Sequence, residues 1–120
     1  MDITPVVPAG RQLIQSYGGM RFRIAGTYHE GSVLVFPERT LPWPVEALHA
    51  ITLDSLSTVT ADILIIGCGA SFQPIPSGLK DGLREKGVVL EWMDTGAASR
   101  TFNVLLAEER DVAAALIAVE

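Results

Sequence analysis

The sequence is poor in cysteine and in basic residues, and each shortage excludes a class of protein. Cys68 is its single cysteine, so no disulfide can form within the chain and a cysteine-ligated zinc site is disfavoured. Only nine of the 120 residues are Lys or Arg, they are scattered, and the net charge is −5. Sequence-independent binding of nucleic acid depends on clustered basic residues, so we expect no nucleic-acid partner. A lone thiol suits a reducing compartment, and we expect a cytoplasmic protein.

Long hydrophobic runs are also missing, although 48% of the residues are hydrophobic. The longest apolar stretch, residues 112–119, is well short of the about 20 residues that a membrane-spanning helix needs. The N-terminus shows no basic region followed by an apolar core and no Arg-rich or Ser-rich segment, so we expect neither a secretory signal nor a transit peptide. The length predicts one domain, residues 1–120, in which residues 1–10 are an irregular lead-in.

The first half of the chain has the alternation and turns of an antiparallel β-meander. Residues 13–17 and 20–24 are candidate strands joined at Gly18-Gly19, because glycine tolerates the positive φ of a tight hairpin. After a turn at Glu30-Gly31, residues 32–36 are predicted as the third strand.

The stretch after the meander is broken by prolines around Trp43. That indole could be an exposed partner anchor or a cap over the core. Residues 45–51 fit a strand or a helix, and residues 52–59 fit a short helix.

The second half has the pattern β-α-β-α-β. Residues 63–67, 88–92 and 113–118 are predicted as strands of one sheet, with parallel neighbours joined by crossovers. An unbroken apolar run without charge favours a strand over a helix at the end of the chain. Each predicted helix has an apolar stripe, formed by Leu79 and Leu83 in the first and by Ala98, Phe102, Leu105 and Leu106 in the second.

A glycine turn, Gly67-Cys68-Gly69, follows the first of these strands. Backbone N–H groups in such a turn can hold an anion at the sheet edge, or the glycines can serve close packing alone. The full G-x-G-x-x-G pattern is absent because position 72 is Phe. Cys68 could be a nucleophile or an inert buried thiol, and both histidines lie in the other half of the chain.

The densest polar stretch begins at Asp94, a candidate N-cap for a helix that starts near Thr95. Arg100 and Asn103 are three residues apart and share one helix face. Arg100 could hold a carboxylate of a ligand, or pair within the fold with Asp94 or Glu109. We expect no catalytic residue, metal or cofactor. The candidate ligand-binding or partner-binding residues are Gly67, Cys68, Gly69, Asp94, Thr95, Arg100 and Asn103.

Several of these motifs together resemble one known family. They are residues 65–69, Pro76, Gly87-Val88, the stretch from Met93 to Leu105, and Glu109-Arg110. The resemblance is to the small domain-of-unknown-function family that includes mitochondrial complex I assembly factor 3 and the adipogenesis-associated Mth938-domain protein. It implies an α/β (α+β) fold with three layers, β/β/α, in which an N-terminal β-meander packs beside the β-α-β-α-β unit. It also implies no established catalytic activity.

The resemblance and the residues themselves lead to two functional hypotheses. The first is a non-enzymatic interaction or assembly protein, whose candidate partners are respiratory complex I subunits or assembly intermediates. The alternative is a small-molecule or anion-binding protein, with an enzyme included, that uses the Gly67-Gly69 turn and the Asp94 helix start. The family often has a small hydroxyl residue where this chain has Cys68, which weakens a thiol mechanism. We expect this chain to lack the mitochondrial member's targeting segment, and the sequence leaves a homo-oligomer open.

Overall fold

A computed structural model describes residues 10–120; all of the predicted lead-in except Gly10 lies outside this range. Two helices and eight strands follow one another within these described residues. They are β1 Ile14–Gly18, β2 Arg21–Ile24, β3 Thr27–Glu30, β4 Val33–Val35, β5 Thr40–Pro42, β6 Ile63–Gly67, α1 Leu79–Glu85, β7 Val89–Met93, α2 Thr95–Ala107 and β8 Val112–Leu116. Residues 45–51, where the sequence left strand and helix open, hold a short 3₁₀ turn at Leu48–Ala50. Residues 52–59, where a short helix was predicted, hold a second 3₁₀ turn at Asp54–Leu56.

The strands β4 to β8 form a mixed sheet with the order β5-β4-β8-β6-β7. Within it β6 pairs in parallel with both β7 and β8, so the prediction of three strands with parallel neighbours is confirmed. The other side of β8 pairs with β4 in the antiparallel sense. All five residues of β8 are buried, which explains why this strand contains no charged residue.

The prediction of an N-terminal meander is correct, but the predicted third strand of that meander is wrong. Residues 33–35 leave the meander and join the larger sheet as β4, between β5 and β8. The strand that pairs with β2 is β3, Thr27–Glu30, whose pattern gave no apolar signal because three of its four residues are exposed. Gly31, with φ +79°, makes the turn between the two sheets.

Both faces of the five-stranded sheet are covered, which produces three layers. One face packs against α1 and the irregular segment 43–61. The other packs against α2 together with the inner side of the β1-β2-β3 sheet, which contributes Phe22 and Ile24. The indole of Trp43 is buried in the first cluster and donates from Nε1 to the carbonyl oxygen of Ser55 at 2.9 Å, so Trp43 belongs to the core.

Candidate functional site

The turn after β6 and the start of α2 lie against each other, as their positions after neighbouring parallel strands predict. The amide of Thr95 donates to the carbonyl oxygen of Gly69 at 2.9 Å. In return, the amide of Gly69 donates to Thr95 Oγ1 at 3.1 Å. The amide of Cys68 donates to the carbonyl oxygen of Met93, at the end of β7. Reciprocal hydrogen bonds therefore join the turn and the helix start.

Asp94 caps α2 and occupies the place that an anion would take. Its backbone is extended, with φ −65° and ψ 162°, and its Oδ1 accepts from the amide of Ala97 at 2.9 Å. The helix begins at Thr95, as predicted. A carboxylate at this position already neutralises the partial positive charge of the helix start.

Thr95 is fully buried and links three segments of the chain. Besides accepting from Gly69, its hydroxyl donates to the carbonyl oxygen of Ile117 at 2.8 Å. The sequence indicated Thr95 only as part of a helix start and gave no signal for its contact with the segment after β8. The hydroxyl therefore both donates and accepts a hydrogen bond inside the fold.

Gly67 is required for close packing. A Cβ added at Gly67 would lie 2.8 Å from Thr95 Cα and 3.0 Å from the Leu116 side chain. Gly69 serves differently: its φ of +117° is a conformation that side chains rarely adopt, and nothing lies within 4 Å of an added Cβ. Of the two interpretations of the turn, the geometry favours packing.

Cys68 has the surroundings of an inert thiol. Its side chain is buried, and Sγ lies 3.5 Å from the carbonyl oxygen of Ser71. In the described part of the chain this carbonyl is its hydrogen-bond partner, and a carbonyl cannot take a proton from a nucleophile.

Arg100 and Asn103 both face β1, so the prediction of a shared helix face is confirmed, but they differ in role. Asn103 accepts from the amide of Ile14 at 2.9 Å and donates to its carbonyl oxygen at 2.8 Å, as a neighbouring strand would. Arg100 is exposed and makes one long hydrogen bond, 3.4 Å, to the hydroxyl of Tyr17. Its proposed pairing with Asp94 or Glu109 does not occur, and Tyr17 takes that place.

An open cleft of about 450 Å³ lies beside the joined turn and helix start. Most of the residues that line the cleft were not predicted from the sequence, because they come from distant segments of the chain. The lining residues are Tyr17, Met20, Gly69, Ala70, Asp94, Gly96, Ala118, Val119 and Glu120. They include two carboxylates and no basic side chain, which disfavours an anionic ligand.

Neither metal-ligand clusters nor membrane helices occur in the part of the chain that the structure describes. Residues 10–120 contain no group of three His, Cys, Asp or Glu side chains that could hold a metal ion. None of the helices there is long and apolar enough to cross a membrane, and α2, with 13 residues, is the longer of the two.

The two polar residues on the β1-facing side of α2 provide a matched pair of substitutions. Arg100→Ala should change the free energy of unfolding by less than about 1 kcal/mol, because the side chain is exposed. Asn103→Ala should cost about 2 kcal/mol, because it leaves both backbone groups of Ile14 unpaired. Urea unfolding of the two variants measures the difference, and equal losses would contradict the distinct roles.

Comparisons with known proteins agree with this architecture. The family model described as "Protein of unknown function (DUF498/DUF598)" matches residues 14–117. An uncharacterised protein of Rhodobacter capsulatus is 40% identical over 114 residues, which cover 91% of this chain and 86% of that protein. NADH dehydrogenase [ubiquinone] 1 alpha subcomplex assembly factor 3 of Xenopus tropicalis is 36% identical over 109 residues. That match covers 87% of this chain but only 60% of the assembly factor.

Solved structures extend the likeness to three dimensions. A Bartonella henselae protein, described as an outer membrane protein, matches with a TM-score of 0.84 and 39% identity over 93% of this chain and 98% of that one. A Bordetella pertussis protein, described as a Mth938-like domain, matches with a TM-score of 0.79 and 24% identity over 98% of this chain and 92% of that one. The chain therefore has the Mth938-like α+β fold that the resemblance implied.

Proposed function

This chain belongs to the DUF498/DUF598 family of proteins of unknown function, and on that premise we propose that it is a non-enzymatic assembly factor that works by binding other proteins. The observation that carries the proposal is a contrast between two parts of one sheet edge. The hydroxyl of Thr95, the Asp94 cap and the Asn103 amide make hydrogen bonds within the fold. The neighbouring loop, residues 71–76, instead exposes apolar side chains.

The 71–76 loop has exposed apolar side chains and an ordered backbone, as expected of a loop that binds another protein. Phe72 is 65% exposed and Ile75 is 37% exposed, and two prolines restrict the backbone around Ile75. A hydrogen bond to β7 holds the loop in place: Trp92 Nε1 donates to the carbonyl oxygen of Gln73 at 2.6 Å. A loop that is already ordered loses little entropy on binding, and large aromatic side chains often dominate the energy of protein interfaces.

The names of the relatives support the same class of function. Several relatives that are 29–36% identical are named assembly factor 3 of the NADH dehydrogenase alpha subcomplex. We therefore propose respiratory complex I subunits or assembly intermediates as the partners of this chain. The cytoplasmic location, the absence of a nucleic-acid partner and a homo-oligomer stay predictions.

The lining of the cleft argues against an anionic ligand in the small-molecule alternative. Asp94 and Glu120 both line the cleft beside the glycine turn, and Asp94 already caps the helix start. Two carboxylates would raise the free energy of a bound anion through like-charge repulsion. The same two carboxylates suit a neutral or cationic small molecule better.

Affinity capture from native lysate, followed by mass spectrometry, tests the assembly proposal. The tagged wild-type chain should capture complex I subunits, and Phe72→Ser should reduce their yield at least tenfold, because the substitution removes a large aromatic anchor. Val104→Ser is the matched control, since Val104 is 54% exposed on α2 and away from the loop. Both variants should melt within a few degrees of the wild type.

Two results would contradict the proposal. One is capture that contains no complex I subunit above the level of an untagged lysate. The other is a loss of capture that is equal for Phe72→Ser and Val104→Ser, because it would mean that the 71–76 loop has no particular role.

A further inference from the structure

The outer face of the β1-β2-β3 sheet is polar and uncovered among the described residues. Alternation places Phe22 and Ile24 of β2 toward the core, where both are fully buried. Arg21 and Arg23 therefore point the other way, and their cross-strand partners on β3 are Glu30 and Tyr28. All four of these outward residues are exposed, and we call them the meander face.

A stack of two arginines on one tyrosine organises the meander face. The guanidinium carbon of Arg21 lies 4.2 Å from the centre of the Tyr28 ring, and that of Arg23 lies 5.8 Å from it. Tyr28 is 52% exposed. Stacking on an aromatic ring restricts the long arginine side chains and brings both positive charges over β3. Side chains that are already ordered lose less entropy when they bind a partner.

The charge of the meander face is opposite to that of the whole chain. The chain has a net charge of −5, whereas this face has two arginines and one carboxylate. The carboxylate, Glu30, lies 4.0 Å from Arg21, and the two side chains are 75% and 48% exposed. An ion pair so long and so exposed contributes little, so a carboxylate of a partner can replace Glu30 at little cost.

Within the described part of the chain, the strand β3 has a free edge beside the meander face, to which an extended peptide could add. In the order β1-β2-β3, β3 pairs with β2 and has no second partner strand among residues 10–120. At the opposite edge, Asn103 occupies both backbone groups of Ile14. An extended peptide that adds to β3 would place every second side chain on the side of Tyr28 and the two guanidinium groups.

We propose that the edge of β3 and the meander face bind an extended, acidic segment of a partner protein, with Asp or Glu at alternate positions. The added strand satisfies the backbone of β3, and its outward carboxylates accept hydrogen bonds from Arg21 and Arg23. This inference rests on the proposed protein-binding function and names the chemistry of one partner segment.

Fluorescence anisotropy with a labelled synthetic peptide tests the proposal on the whole chain. The peptide alternates Glu with Thr, and the comparison peptide has Gln in place of each Glu. The wild type should bind the Glu peptide at least tenfold more tightly than the Gln peptide, and the affinity should fall as salt rises, because the contact is between charges. Arg21→Glu combined with Arg23→Glu should abolish binding of the Glu peptide.

The matched control reverses two charges elsewhere. Lys80→Glu combined with Arg84→Glu changes the net charge equally, on the exposed side of α1, and should retain binding within about twofold. If the double Glu variant at positions 21 and 23 fails to fold by circular dichroism, the double Gln variant decides, and it should also lose at least tenfold in affinity.

Three outcomes would overturn the proposal. They are equal affinity for the Glu and Gln peptides, equal losses in the two charge-reversal variants, and binding to phosphatidylserine vesicles without binding to the Glu peptide, which would indicate a lipid surface instead. Phe72→Ser should leave binding of the Glu peptide unchanged. A failure of complex I capture and a failure of this inference are therefore separate results.

Discussion

Gly67→Ala is expected to lower the free energy of unfolding by about 3 kcal/mol, at the upper end of what an overpacked core costs. The reason is that the new methyl group would lie 2.8 Å from Thr95 Cα, a backbone atom that cannot move without shifting the start of α2. The same methyl group would also press on Leu116, which is fully buried in β8. The strain therefore reaches two elements at once.

Gly82→Ala is the matched control, because it adds the same methyl group in α1. There the three nearest atoms all belong to the Leu53 side chain, which is only partly buried and can change rotamer, and alanine favours a helix over glycine by about 1 kcal/mol. Gly82→Ala should therefore cost clearly less than Gly67→Ala. Denaturant unfolding compares the two, and a loss below about 1 kcal/mol for Gly67→Ala would show that the turn and the helix start are not tightly packed.

Thr95→Val should cost about 3 kcal/mol and lower the melting temperature by about 10 °C, because it removes a hydroxyl without changing the shape of the side chain. The carbonyl oxygen of Ile117 would lose its donor and the amide of Gly69 its acceptor. Since Thr95 is fully buried, no water can replace the hydroxyl without rearrangement.

Thr95→Ser separates the hydroxyl from the methyl group. It keeps both hydrogen bonds and should cost only about 1 kcal/mol, the value of one buried methyl group. Calorimetry gives the melting temperatures, and amide exchange at Gly69 should become faster in the valine variant than in the serine variant. Equal melting temperatures for the two variants would mean that the hydroxyl does not link the segments.

The second half of the fold could be predicted because its signals are local. The unbroken run Ile63-Leu64-Ile65-Ile66 is typical of a buried parallel strand, and Asp94 has the position and chemistry of an N-cap. Two strands that run in parallel must end at the same edge, so the meeting of Gly69 with Thr95 followed from topology.

For the first half of the chain, the sequence predicted antiparallel strands but not the sheet to which each strand belongs, because that depends on partners far along the chain. Residues 33–35 are as apolar as a meander strand, and their true partner, β8, lies about 80 positions later in the chain. The strand β3 is polar because one of its faces meets solvent and its edge meets no other described strand. No periodicity in its own residues distinguishes it from a loop.

The candidate site was partly predicted for the same reason. Asn103 was correctly placed on a helix face with Arg100, but its partner, Ile14, is 89 positions away, so its structural role was not visible in the sequence. Tyr17 and Met20 line the cleft because the meander folds back over the start of α2, and Glu120 lines it because the segment after β8 runs beside the meander. Contacts of this kind depend on tertiary structure and leave no local pattern.

The position of β8 determines the order in which the larger sheet can be completed during synthesis. It is the last strand along the chain, yet it lies between β4 and β6 in the sheet. Before it emerges, the pairs β4-β5 and β6-β7 have no common partner, and each presents an open backbone edge of the kind that promotes aggregation. The larger sheet can therefore be completed only after β8 has been made, because β8 joins the two strand pairs.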